Sequence, residues 1–190
     1  MNRRVDPRVA LTRSLVIGAA SDLLAEEGFE RVTIDGIAER SGVARSTVYR
    51  HWPDRADLLG EVFTAVCSPA EIGDLGSVEA ELRELATGLA TGLREEPWGQ
   101  MLPSLVGAAH HDDDLRRALS RFSGERRRRA LAVLRRGVER GEIDASIALD
   151  GPLERFIAPF FLRWLMTQEP IDDAFVDAQL AAISAELRLP

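Results

Sequence analysis

The stretch SGVARSTVYRHWPDR, Ser41 to Arg55, decides how the rest of the chain is read. A helix that only closes a core presents a wide apolar stripe, and Ala44 to His51 offers little beyond Val48 and Tyr49. Its polar remainder, with Arg45, Ser46 and Arg50, is made to face outward. Both ends are marked. Gly42 accommodates the left-handed turn that stops a preceding helix, and the residue before Pro53 is pushed out of the helical region, so Trp52-Pro53 stops this one. Asp54 then caps a further helix that begins at Arg55.

Upstream, Ile17, Ala20, Leu23 and Leu24 recur at helical spacing before Gly28, which predicts a first helix over Leu11 to Glu27. Thr33 caps a short helix, Ile34 to Ser41, with Ile37 and Ala38 inward. A second short helix covers Arg45 to His51, and a longer one Arg55 to Val66. Beyond the turn residues Pro69, Gly73 and Gly76, one apolar face runs through Val78, Leu82, Leu85, Leu89 and Leu93 until Pro97. Trp98 to His110 is apolar almost all round, as a buried helix is. Leu115, Leu119, Phe122, Leu131, Leu134 and Val138 trace a long helix ending at Gly141. Leu149 to Thr167, kinked at Pro159, and Asp172 to Leu187 complete the chain. No alternating run marks a strand and no segment repeats, so the fold class is all-α.

Two short helices joined by a tight turn, the second exposing polar side chains, are what a helix-turn-helix needs: one braces, the other lies in the major groove of DNA. Arg45, Ser46 and Arg50 are placed to reach base edges, while Thr33, Thr47, Tyr49, His51 and Arg55 are placed to meet phosphates. Trp52 packs beneath and fixes the angle of the motif. The charge distribution agrees. The chain carries a net −7, yet residues 1–56 hold 9 Arg against 8 acidic residues, so the negative excess lies elsewhere.

VIGAASDLLAEEGFERVTIDGIAERSGVARSTVYRHWPDRADLL, Val16 to Leu59, resembles the DNA-binding domain of TetR-type bacterial repressors. Gly28-Phe29, Thr33, Ile37-Ala38, Arg40, Gly42-Val43, Thr47, Tyr49, His51 and the basic Arg55 stand in the family's order. Trp52 departs from the usual phenylalanine and Ser41 from a frequent alanine, changes that ask only for repacking. Carried over by position, the resemblance implies Thr33, Ala44, Arg45, Ser46, Thr47, Tyr49, His51 and Arg55 as DNA contacts. It divides the chain into a three-helix DNA-binding domain, 1–56, and a ligand-binding and dimerisation domain, 57–190. The late stretch GPLERFIAPFFLRWLMTQEPIDDAFVD resembles the helix pair that forms a four-helix bundle with a second subunit. On that resemblance Leu153, Ile157, Trp164, Phe175, Leu180, Ile183 and Leu187, with Phe156 and Phe160, divide between the subunit's own core and a two-fold interface. Phe63, Trp98, Met101, Leu105, Phe122, Phe156 and Phe160, with Met166, sit on the helices that enclose the family's ligand cavity.

Other features have plainer readings. Arg3, Arg4, Arg8 and Arg13 fit an unstructured tail better than a minor-groove arm. In GERRRRALAVLRR the apolar residues keep helical spacing, and Glu125 and Glu139 stand where they pair with Arg129 and Arg135. The aspartates of HHDDD, His110 to Asp114, are helix-start residues before they are metal ligands. Cys67 alone builds neither a disulfide nor a cysteine zinc site. No catalytic motif is present, no cofactor or metal is implied, and no apolar run has the length to span a bilayer. The sequence therefore reads as a cytoplasmic, homodimeric regulator that binds a palindromic operator on double-stranded DNA and answers to a small molecule. Its rival is a helical small-molecule-binding protein or enzyme whose first helices only pack.

Overall fold

The computed structural model describes residues 7–67 and 72–189; Arg3, Arg4 and Pro69 of the sequence reading lie outside them. The described residues form α-helices, one 3-10 turn and one π turn, and no strand. They gather into two compact units, one of residues 7–67 with 101–122, the other of 72–100 with 123–189. Compactness thus divides the chain differently from the expected boundary after residue 56, because later helices pack with the first three.

In the first unit, α1 spans Pro7–Glu27, one turn longer than expected. Pro7 stands at the first helical position, where its missing N–H is no loss. This start places Arg8 and Arg13 within a helix rather than in a tail, and Arg13 lies over the Trp52 ring at 4.9 Å while pairing with Glu61. Gly28, at φ 82°, releases the chain into a 3-10 turn. The Thr33 hydroxyl accepts the Gly36 N–H at 3.1 Å and opens α2, Ile34–Ser41, which ends at Gly42 with φ 68°. α3 is Arg45–His51. Asp54 accepts the Ala56 N–H at 2.8 Å and opens α4, Arg55–Val66. α6, Pro97–Ala109, and α7, Asp113–Glu139, contribute their residues from Met101 to Phe122. The core joins Val16, Ala20, Leu23 and Leu24 of α1 to Ile37, Val48 and Trp52, to Leu58, Leu59, Val62 and Phe63 of α4, and to Leu105 and Leu115. Burial of each large side chain contributes about 1.5–3 kcal/mol.

In the second unit α5, Val78–Glu95, packs with α8, Asp150–Phe161, and α9, Asp173–Leu187. Pro159 does not simply kink α8. The Leu162 N–H bonds to the carbonyls of both Ala158 and Pro159, and the chain continues as a π turn over Leu162–Thr167. Phe156, Phe160 and Phe175 meet edge to face at 6.0 and 5.0 Å between centroids. Glu81 is fully buried, held by Arg136 Nε at 2.8 Å and Arg140 Nη1 at 3.0 Å. On α7, Glu125 pairs with Arg129 at 3.5 Å and with Arg128, whereas Arg135 and Glu139 form no such pair.

Candidate nucleic-acid interface

α3 has the period of a helix with one dry side. Val48 is fully buried, while Arg45, Ser46, Tyr49 and Arg50, at positions i, i+1, i+4 and i+5, are exposed together. Tyr49 leaves 54% of its surface open, unusual for a large ring without a partner. Trp52 is buried under the helix at 2% exposure, with Arg13 over its ring and His51 tilted against it at 5.7 Å. The whole of α3 is fixed by this wedge and by Val48. Ala44 caps the helix only with its carbonyl, which accepts the N–H groups of Thr47 and Val48 at 2.8 and 3.1 Å.

The supporting turn is equally determined. The Ser41 hydroxyl accepts the Val43 N–H at 3.2 Å, and Arg40 ties the end of α2 to Glu26 and Glu27 of α1. A glycine is required at 42 because a Cβ in the left-handed region is strained. Thr33 is exposed beside the start of α2, Thr47 and His51 are half-buried, and Ala44 is exposed at the turn.

Arg55 differs from its expected role. Its guanidinium pairs with Asp112 at 2.8 Å, donates to the Val32 carbonyl at 3.3 Å and lies over the Phe29 ring at 5.3 Å, leaving the side chain 26% exposed. In this conformation Arg55 is a brace, not an outward donor. Asp112 also accepts the Leu115 N–H at 2.9 Å, so it caps α7 as HHDDD suggested while anchoring α4. Desolvation opposes its ionisation, but Arg55 and the Leu115 N–H outweigh it and hold the carboxyl below the usual carboxylate range. Arg117 reaches Asp54 at 3.3 Å, and Arg121 pairs with Asp57, so the first turn of α4 is gripped at three points by α7. Nothing in the sequence pattern joins residues 57 or more positions apart, so this grip was not readable.

The residues expected to line a ligand cavity fall in both units. In the first, Phe63 is buried and meets Phe122 edge to face at 6.1 Å, Leu105 is buried, and Met101 and Phe122 pack at the core margin. In the second, Trp98 is buried beneath Arg126 at 5.2 Å, and Phe156 and Phe160 are closed in the core.

The expected interface residues also divide. Leu153 of α8 and Phe175, Leu180, Ile183 and Leu187 of α9 are buried within the subunit itself, because the faces that carry them pack on one another and on α5, so they offer no surface to a second copy. Ile157 and Trp164 are half-buried, and the Trp164 indole N–H donates to the Leu93 carbonyl at 2.6 Å. The outward side instead shows Ala158, Leu162 and Met166, at one-turn spacing, and Ala178, Ala181, Ala182 and Ala185 of α9. Leu162 and Met166 are 55% and 75% exposed.

Residues 16–62 match the family described as bacterial regulatory proteins, tetR family, and residues 72–183 match the tetracyclin repressor-like C-terminal domain. The chain is 31% identical over 177 residues to an HTH-type transcriptional regulator, YdeS of Bacillus subtilis, covering 92% of this chain and 89% of that one. It superposes on the crystal structure of the TetR family transcription regulator SCO0332 with TM-score 0.75 and 32% identity, covering 93% and 97% of the two chains. RolR, solved in complex with resorcinol, shares the fold at TM-score 0.60 and 24% identity over 95% of this chain and 89% of its own.

Proposed function

The chain belongs to the TetR family of bacterial regulatory proteins, and from that we propose a homodimeric repressor that leaves a palindromic operator when a small apolar or amphipathic molecule binds. Membership makes it a helix-turn-helix transcriptional regulator and not an enzyme. Regulators of this family bind DNA and small molecules and are typically dimers. The operator, the effector and the direction of control are the proposed part. No helix among the described residues is long and apolar enough to cross a membrane.

The carrying observation is the face of α3 on which Arg45, Ser46, Tyr49 and Arg50 stand exposed over a buried Val48 and Trp52. That face enters the major groove; Thr33, Thr47 and His51, with Ala44 at the turn, meet the flanking phosphates. Residues 1–56 read DNA, and 57–190 receive the effector and the second subunit. RolR's complex with resorcinol supports an aromatic or similarly small apolar effector. Met101 and Phe122, at the margin of the core beside Phe63, are where we place it in the first unit. There α4 is the shared element: it follows the recognition helix, carries Phe63, and is gripped by α7. A ligand that binds only the shape with α4 displaced lowers DNA affinity by its differential affinity for the two shapes, and a few kcal/mol suffices.

The test is selection from a randomised double-stranded pool at near-physiological salt. Enrichment of a palindrome supports the reading, and Arg45→Ala then costs about 1–3 kcal/mol on that site and relaxes discrimination at one base pair. Failure of folded, dimeric protein to enrich any sequence, with and without candidate effectors, removes it.

A further inference from the structure

Arg45 opens α3 on the face that also carries Ser46, Tyr49 and Arg50, yet its guanidinium is engaged by the carboxylate of Asp35, in the first turn of α2. Both side chains stand open to water, at 61% and 63% exposure. A pair so exposed adds little to stability. A carboxylate on a surface that meets phosphates also works against DNA attraction. Arg50, on the same face, has no ion pair among the described residues, so the arrangement singles out one arginine.

The chemistry of the guanidinium supplies a reason. It is planar, with five N–H donors in a rigid fork, and the Asp35 carboxylate meets it at one terminal nitrogen, Nη2, which restrains the group while leaving the remaining donors available. Those donors match O6 and N7 of guanine, the commonest specific contact in the major groove. An arginine already oriented loses less side-chain freedom on binding.

We propose that Asp35 is a positioning residue for base reading: it holds Arg45 at Nη2 and directs the remaining donors at a guanine facing the start of α3. This rests on the DNA-binding reading given under Proposed function. A guanine is therefore expected at one position of each half-site, and its selection depends on a residue that touches no base.

The full-length parent, Asp35→Ala, Asp35→Glu, Arg45→Ala and the double alanine variant are compared by pool selection, then by fluorescence anisotropy on the selected site and its single-base changes. The parent is expected to prefer guanine by about 5- to 150-fold at that position, and Arg45→Ala to abolish the preference. Asp35→Ala lowers it by about 2- to 13-fold, at that position alone, with an unchanged melting temperature. Asp35→Glu restores part of it, and Asp35→Ala changes nothing further when Arg45 is already alanine. Tighter binding of Asp35→Ala to every sequence with an unchanged base preference overturns the proposal, since the carboxylate then only repels phosphate. A parent that selects a palindrome while Asp35→Ala selects it equally well sinks this inference alone. A parent that selects nothing sinks the DNA-binding reading and this inference with it.

Discussion

Arg45 and Arg55 are ten positions apart and both looked like DNA contacts in the sequence, yet their surroundings assign them different work. Arg45 is exposed on the outward face, whereas Arg55 is folded back on Asp112, the Val32 carbonyl and the Phe29 ring. Removing Arg55 leaves the half-buried Asp112 carboxylate and the Val32 carbonyl short of a donor, which costs about 1 kcal/mol. Arg55→Ala should accordingly lower the urea midpoint of unfolding while the dependence of DNA affinity on salt keeps the parent's slope. A slope lower by roughly one, with stability unchanged, would return Arg55 to the phosphate contacts. The recognition face itself was legible, because its message is local: a period, a turn glycine and a Trp-Pro stop lie within fifteen residues. The inward pairing of Arg55 was not legible, because its partner lies 57 positions away. Asp35 was passed over for a similar reason, since only the α2–α3 turn brings it to Arg45.

Among the elements, α4 has the most to transmit. It begins where α3 stops, and its first turn is bound to the start of α7 through Arg55 with Asp112, Asp54 with Arg117, and Asp57 with Arg121. Asp112 is ionised more readily in the folded chain than its ordinary value of 3.8 allows. A group with a lowered folded pKa stabilises fully above its unfolded value and loses that contribution as pH falls through the folded one. Asp112→Asn keeps the helix cap, for Asn caps as well as Asp, and removes only the charge. It should destabilise by about 1 kcal/mol near neutrality. The gap between parent and variant should hold constant from pH 7 to 5 and close below about pH 4, as read by urea unfolding at each pH. A gap that persists in acid would mean that the Asp112 charge is not what binds α4 to α7. Helix limits were legible to within a turn, for capping is written in neighbouring residues: Thr33 and Asp54 cap where the sequence placed them, and in the structure Ser77 and Asp172 do the same for α5 and α9. The docking of α7 on α4 was not, because exposed arginines and aspartates occupy solvated helix faces throughout this chain.

At the scale of the molecule, a palindrome can be read only by two recognition helices held about one turn of DNA apart, roughly 34–36 Å. The surface that holds them must be apolar, outward and absent from the subunit's own core. Leu153, Phe175, Leu180, Ile183 and Leu187 fail the last condition; Leu162 and Met166, with Ala158 and the alanines of α9, meet all three. In the proposed dimer, the small alanine side chains would let a second helix pair approach closely, and Leu162 and Met166 would supply the area a bundle buries. Replacing both by glutamate puts four like charges into a two-fold contact without disturbing the monomer core, since exposed positions tolerate substitution within about 0.5 kcal/mol. The double variant should sediment as a folded monomer where the parent is a dimer. Its affinity for a half-site should match the parent's, while its affinity for the full palindrome should fall by about 10²- to 10⁴-fold, the advantage lost when two linked contacts become one. A double variant that stays dimeric moves the interface to another face of the chain. One that becomes monomeric yet binds the palindrome undiminished would separate dimerisation from operator reading altogether.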